Sequence, residues 1–464
     1  MKVGYSSERL HHTMHPLFLT LSREAEWFVG QDDGQAEWYI EEKDRYFRVR
    51  HKQEEHQIEK DIYAVKKFCS DYYREQEGRT LPWGVISGIR PSKLARLIWQ
   101  KNPDLNLEDF CDTLWQGYRI SREKAVALWQ VLQVENKYLF QNTKKVSEKP
   151  AAHIYIGIPF CPSRCYYCSF VAGVVKEGDE KLERYVNLLE KEIDYLKPLW
   201  QQRRIRSLYI GGGTPTVLSA ELLERLLVKI RSELPLIDLE EFTVEAGRPD
   251  TITEEKLDVM KQYGVDRISI NPQSFHDQTL QKIGRGHSVE EVIKAYHLAK
   301  QRGFTVNMDL IFGLKEEGME EIRQSLSQVL ELGPENITVH TLTPKRGADL
   351  SSRDKEEMSA ISQEIGDMLQ YAQEVLQNSG RKPYYLYRQK NIYFENVGYA
   401  LEGTECAYNI ETMLEREPVI ALGAGSISKN IIGKKITRFE MPKEWHAYEI
   451  SLEEKLKSKL SFFL

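Results

Sequence analysis

The sequence predicts an α/β protein, with a strand–helix repeat at its centre, an α+β block before it and a mixed region after it. Two observations carry that expectation. Between Ile154 and His340, short apolar runs alternate with longer amphipathic stretches, the two periodicities that separate buried strands from surface helices. Three cysteines, Cys161, Cys165 and Cys168, then crowd directly after the first of those strands.

Composition bounds what such a chain does. Its 464 residues allow two to four domains, at roughly 100–200 residues each. A hydrophobic share of 41% and a charged share of 29% are ordinary for a globular protein. No apolar run approaches the ~18 residues of a membrane span. Pro16 to Leu21 is too short and interrupted to be a secretory signal. A cytoplasmic protein without a membrane span is expected. Net charge is -6, from 64 basic and 70 acidic residues mixed along the chain, so the basic excess of a nucleic-acid binder is missing. Six cysteines in this length do not make a disulfide scaffold.

The first block, 1–145, reads as an accessory domain. It opens with strand-like Trp38-Tyr39-Ile40 and Tyr46-Phe47-Arg48-Val49, then helical patterns over Ile58–Tyr73, Lys93–Gln100 and Arg122–Gln141. Leu81-Pro82-Trp83-Gly84 and Gly88-Ile89-Arg90-Pro91 mark turns between them. The polar run Asn142–Pro150 reads as a linker. The second block, 150–345, predicts strands at Ile154–Ile158, Ser207–Ile210, Phe242–Glu245, Arg267–Ile270, Thr305–Leu310 and Ile337–His340. Helices are expected at Glu180–Lys197, Ala220–Glu233, Glu254–Tyr263, Val289–Arg302 and Met319–Leu332. Ser219 and Thr253 stand where N-caps belong, and Gly264, Gly303 and Gly333 where helices end. Strands joined by helices are parallel with right-handed crossovers, in a barrel or an open sheet. In both, ligands bind at the carboxyl ends of the strands. The third block, 346–464, predicts one helix over Lys355–Ser379, a strand over Pro383–Tyr387, a small-residue turn at Gly423–Ser426 and a closing helix.

Cys161-Pro-Ser-Arg-Cys165-Tyr-Tyr-Cys168 sits at that active face. Three thiolates at this spacing suit three corners of a [4Fe–4S] cluster, leaving one iron for another ligand. Structural zinc instead wants four ligands, usually in two CxxC-like pairs, and the nearest histidine, His153, is at the far end of the strand. The motif resembles that of radical S-adenosylmethionine enzymes. The run Tyr155 to Phe170 is similar to the oxygen-independent coproporphyrinogen III oxidase family, as are Gly211-Gly-Gly-Thr-Pro-Thr216, Val244-Glu245, Ser269–Phe275, Ile283-Gly-Arg285, Met308–Leu314 and Gly423–Ser428. Gly88-Ile-Arg-Pro91 and Tyr387-Arg-Gln-Lys-Asn391 look most like its HemZ-type subgroup.

The resemblance implies a partial (β/α)6 barrel holding a [4Fe–4S] cluster on Cys161, Cys165 and Cys168, with one or two S-adenosylmethionine molecules. Gly212, Gly213 and Thr214 would hold the methionine amino end, Glu245 would contact one molecule, and Gln273, Arg285 and Asp309 a second. Tyr155 and Tyr167 would touch the two molecules and Ile427 would pack on the adenine. It implies oxidative decarboxylation of two propionates of coproporphyrinogen III to vinyl groups, started by a 5'-deoxyadenosyl radical, with a flavodoxin- or ferredoxin-type electron donor. Arg285, and also Arg388 or Lys390, would meet substrate carboxylates. Two departures stand out. Phe170 occupies the place of a further cysteine carried by oxidases of this type, and Gly157 replaces a histidine. Phe170 is shared with the haem-chaperone branch, so a haem chaperone stays open beside the oxidase, as does a methyltransferase that opens haem.

Overall fold

A computed structural model describes residues 1–21, 25–32, 34–78, 81–88, 90–142, 149–169, 173–343, 362–388, 394–433 and 435–464. Phe170, Lys390 and residues 355–361 of the expected helix therefore lie outside the described residues. The chain divides into two compact units, one of Met1–Asn136 with Leu386–Asn396, the other of Lys137–Tyr385 with Val397–Leu464. No described helix is long and apolar enough to cross a membrane.

The first unit is built on strands β1 (Lys2–Tyr5), β2 (Glu26–Val29), β3 (Trp38–Glu42), β4 (Tyr46–His51) and β5 (Glu54–Glu59), in the order β2-β1-β3-β4-β5. Helices α1 (Glu8–Leu21), α2 (Ile62–Glu77), α3 (Pro91–Lys101), α4 (Leu107–Tyr118) and α5 (Arg122–Asn142) accompany it. Val3, Tyr5, Met14, Phe18, Trp38, Ile40 and Val65 share one buried core. The helix expected from Ile58 starts later. Asp61 has extended backbone and accepts a hydrogen bond from the Tyr63 amide, capping α2, and Ile58 belongs to β5.

In the second unit the sequence-derived elements fall close to place. Strands β6 (Ala151–Ile158), β7 (Phe160–Cys161), β8 (Gly173–Val174), β9 (Arg204–Gly212), β10 (Glu241–Glu245), β11 (Arg267–Ser269), β12 (Thr305–Phe312) and β13 (Asn336–Thr341) are followed by β14 (Lys382–Arg388) and β15 (Glu395–Ala400), of which Leu386–Arg388 and Glu395–Asn396 count to the first unit, and by β16 (Val419–Leu422), β17 (Ile427–Ile432) and β18 (Lys435–Glu440). The Ser219 hydroxyl accepts from Leu222 N and Thr253 from Lys256 N, as expected of caps.

The main sheet runs β14-β15-β13-β12-β11-β10-β9-β6-β16-β17-β18. From β6 to β13 every strand is parallel to its neighbour and each new strand lies beside its predecessor. That is the order of a barrel wall; a doubly wound sheet reverses at a switch point. The wall stays partial, because β16 pairs parallel with the free side of β6 and β15 antiparallel with β13. The tail, expected as a domain of its own over 346–464, thus lends strands to the same sheet. Ile154, Ile156, Leu208, Ile210, Val244, Ile268 and Met308 are fully buried beneath the strand ends.

Candidate active site

The cysteine loop leaves the sheet through β7. Cys161 pairs with Val174 of β8, and the Val175 amide donates to the Cys161 carbonyl at 3.0 Å. A turn closed by Cys168 N donating to Cys165 O at 3.0 Å carries the other two thiols. Cys161 and Cys165 are buried and Cys168 is half-buried. Burial pushes the Cys161 thiol up to about 11, although the Thr214 hydroxyl lies 3.1 Å from its sulfur. Ligands of one zinc ion bound at ~2.3 Å would bring their sulfurs to about 3.8 Å of one another. The ligand-atom groups converging within 4.8 Å among the described residues do not include this trio. The three sulfurs are thus not drawn together as ligands of one zinc ion would be. From outside, Arg248 donates to Ser163 Oγ at 2.9 Å and Ser163 to the Gly284 carbonyl at 3.0 Å, pinning the stretch between Cys161 and Cys165.

At the end of β9, the glycine triplet is explained largely by the protein itself. A Cβ on Gly211 would stand 2.8 Å from Glu245 Oε2, and one on Gly213 would stand 2.4 Å from the Phe160 carbonyl. Gly212 adopts φ +113, a conformation side chains resist. The backbone amides of this segment are engaged within the protein. Gly212 N donates to Glu245 Oε2 (3.1 Å), Gly213 N to Ile158 O (2.7 Å) and Thr214 N to Phe160 O (2.8 Å). The Tyr209 hydroxyl donates to Glu245 Oε1 at 2.6 Å. Burial, with nearby Asp309 adding to it, pushes the Glu245 carboxyl up to about 7.

Asp309, two strands further on, behaves oppositely. Burial favours its proton, but His340 at 3.5 Å and the Asn307 amide at 2.7 Å outweigh that and hold its pKa below the usual range. Gln273 bridges to Leu310 in the left-handed region at φ +70, its amide donating to Asp309 O and its carbonyl accepting from Ile311 N, both at 2.9 Å. Its buried side-chain Oε1 has no partner. Strain of this kind persists where surroundings over-determine it, and it clusters at binding sites.

Arg285 was expected to offer its guanidinium fork to a carboxylate. One terminal nitrogen donates to Gly247 O (2.8 Å) and Asn271 O (3.3 Å), and the other to the Tyr167 hydroxyl (3.3 Å). Only its buried Nε is without a partner. Tyr155 stacks with Tyr209 and Tyr408 at 6.1 and 6.3 Å, placing it beside Glu245. Ile427, at the start of β17, is 46% exposed. Arg388 is buried in the first unit, donating to Ile86 O at 2.8 Å. Gly157 takes the place of a histidine where the tail turns over it: a Cβ on Gly423 would lie 2.5 Å from the Gly157 carbonyl. His340, Tyr209, Tyr408, Asn307 and Arg248 are not singled out by the sequence. His340 lies one residue before the end of the sixth parallel strand, so the strand-end rule alone points to it.

These groups fit an iron–sulfur cluster and a cationic, hydroxyl-rich cofactor. Three thiols share a short loop, two carboxylates face the strand ends, and Gln273 Oε1 and Arg285 Nε await partners. A sequential parallel wall with a three-thiol loop on its first strand defines a radical enzyme of the barrel class. Comparison with known proteins narrows it. The model of the radical SAM superfamily matches residues 155–329. The oxygen-independent coproporphyrinogen-III oxidase-like protein HemZ of Bacillus subtilis is 39% identical over 393 residues, covering 83% of this chain and 77% of that one. The heme chaperone HemW of Lactococcus lactis is 34% identical over 275 residues, 59% of this chain and 68% of its own. Among solved structures, the coproporphyrinogen III oxidase HemN of Escherichia coli superposes with a TM-score of 0.56 at 24% identity, covering 69% of this chain and 73% of that one. The chain belongs to the oxygen-independent coproporphyrinogen III oxidase family of radical S-adenosylmethionine enzymes, in its HemZ-type subgroup. A [4Fe–4S] cluster and S-adenosylmethionine are the cofactors of that superfamily.

Proposed function

We propose that this enzyme oxidatively decarboxylates the propionate side chains of coproporphyrinogen III to vinyl groups, using two S-adenosylmethionine molecules in one pocket. When bound, the cluster and cofactor supply one-electron cleavage and hydrogen-atom abstraction. Cys161, Cys165 and Cys168 would hold the cluster and leave one of its irons to the cofactor. Because the Gly212, Gly213 and Thr214 amides are committed inward, their carbonyl oxygens are the groups left to meet an ammonium. Glu245, poised near neutrality, gains its charge when a cation arrives beside it, while Asp309 is ionised beforehand. Arg285 holds Tyr167 against the cysteine loop and adds positive potential for a tetracarboxylate substrate. A flavodoxin- or ferredoxin-type donor would deliver the electron.

The observation that supports turnover is the second polar set. Beside Glu245 stand Gln273, Arg285 and Asp309, of which Gln273 Oε1 and Arg285 Nε are buried without partners, groups a haem carrier has little use for. Phe170 and the HemW relatives favour the second reading, a haem chaperone. The test is anaerobic incubation of reconstituted protein with reductant, S-adenosylmethionine and coproporphyrinogen III. Two CO2 per substrate are expected, with 5'-deoxyadenosine formed in step, and none from Cys161→Ala. Stoichiometric haem binding without vinyl product would establish the chaperone instead.

A further inference from the structure

Helix α1 of the first unit opens with Glu8-Arg-Leu-His11-His12, and nothing in the radical chemistry uses these residues. Residues three and four apart share a helix face, so Glu8 looks across one turn at both imidazoles. Its Oε2 lies 3.8 Å from His11 Nδ1 and 4.0 Å from His12 Nε2, and the three ligand atoms all fall within 4.8 Å of one another. A tetrahedral zinc ion with bonds of ~2.0–2.1 Å spaces its ligand atoms by roughly 3.4 Å. Small rotations of two exposed side chains close that difference.

His11 supplies the independent observation. It is only 9% exposed, yet neither ring nitrogen has a hydrogen-bond partner. Buried polar atoms in native proteins are rarely left so. Its ring is fixed by stacking on Trp27 at 3.7 Å, with an interplanar angle of 22°, so Nδ1 is held toward Glu8. Burial, followed by the neighbouring His12, lowers its pKa and keeps the lone pair available. His15 is excluded at Nδ1, which is engaged with the Tyr5 hydroxyl at 3.2 Å.

We infer that Glu8, His11 and His12 form a zinc site with a water in the fourth position, separate from the cysteine cluster. The N2O donor set suits zinc and needs no thiolate. Metal binding also answers the unpaired imidazole that would otherwise weaken the contact of α1 with β2.

The test uses cluster-loaded protein kept anaerobic, equilibrated with zinc chloride and passed over a desalting column. One zinc per chain is expected, with an X-ray absorption spectrum of nitrogen and oxygen neighbours at about 2.0–2.1 Å. Glu8→Gln and His12→Ala should each weaken binding at least tenfold. The Glu8 and His12 side chains are 68% and 76% exposed, so the fold does not depend on them, and circular dichroism of both variants should match the parent. Zinc that does not bind, that shows sulfur neighbours, or that binds both variants as tightly as the parent would overturn the site.

Discussion

The two ends of the parallel strands in the second unit are both polar and buried, and they are used in opposite ways. At the amino ends, Arg206 of β9 meets Glu240 (3.0 Å), Glu411 (3.1 Å), Glu417 (2.9 Å) and the Tyr138 hydroxyl (3.0 Å). His153 of β6 sits between Ser207 Oγ (2.7 Å) and Glu417 (2.9 Å). Arg267, first in β11, joins Glu241, Asn336 and the Thr404 carbonyl. There the ion pairs close on one another. His153, Glu411 and Glu417 do converge as metal ligands would, but the Arg206 guanidinium already supplies the positive charge. At the carboxyl ends, Gln273 is strained, Glu245 is a carboxyl poised near neutral pH, and Gln273 Oε1, Arg285 Nε and Asn271 Oδ1 are buried without partners. At the amino ends the charges are paired among themselves, although Glu411 Oε2 and Asn336 Nδ2 stay without partners; at the carboxyl ends a strained glutamine and a carboxyl near neutral pH stand together.

Removing Arg206 should break that contrast with the largest effect. Arg206→Met leaves carboxylates buried without their cation, which costs about 3–5 kcal/mol and should appear as a large drop in urea midpoint. The S-adenosylmethionine cleavage rate per folded molecule should not change. A loss of cleavage at unchanged stability would make the amino end functional after all.

Glu245 sharpens the contrast through pH. The folded chain holds this proton more tightly than the unfolded chain does, so protein free of cofactors loses stability as pH rises from about 4.5 to 7. The total is roughly 3 kcal/mol. Glu245→Gln should therefore stabilise at pH 8 by about that amount and change nothing at pH 4. Urea midpoints across pH measure the difference; parallel curves for the two proteins would refute it.

Gln273→Gly has the smallest expected effect on stability. Relief of a left-handed side-chain residue gains roughly 1–2 kcal/mol, offset by about 0.4–1 kcal/mol of added freedom in the unfolded chain. Stability should move by no more than about 1 kcal/mol, while loss of Oε1 weakens S-adenosylmethionine binding in calorimetry. Unchanged affinity would remove Gln273 from the pocket.

Local signals were the legible ones. Ala220–Glu233 and Met319–Leu332 stand where periodicity and caps put them, because a helix announces itself within a few residues. The cysteine spacing was legible for the same reason. β16, with four residues, and β15 were not anticipated, since only a distant partner makes a strand of so short a run. In α4 a signal was present: Asn106 accepts from the Asp109 amide ahead of an acidic first turn. The commitments of the site were invisible in one dimension. That Arg285 is engaged by two carbonyls and a tyrosine, and that Tyr209 and Tyr408 flank Glu245, follows only from how separate strands come together.

The pairing of β16 with β6 sets a clock on synthesis. Ile156 lies opposite Leu422, so the strand leading into the cysteine loop keeps one open edge until the chain has grown far past it. At ~5–20 residues per second, that interval lasts on the order of 15–50 seconds. For that time an apolar strand edge is exposed, the kind of surface that recruits stray strands. The thiols beside it are meanwhile accessible to oxidants. The strand that carries the cysteine loop is thus completed by the tail, about 260 residues further along the chain.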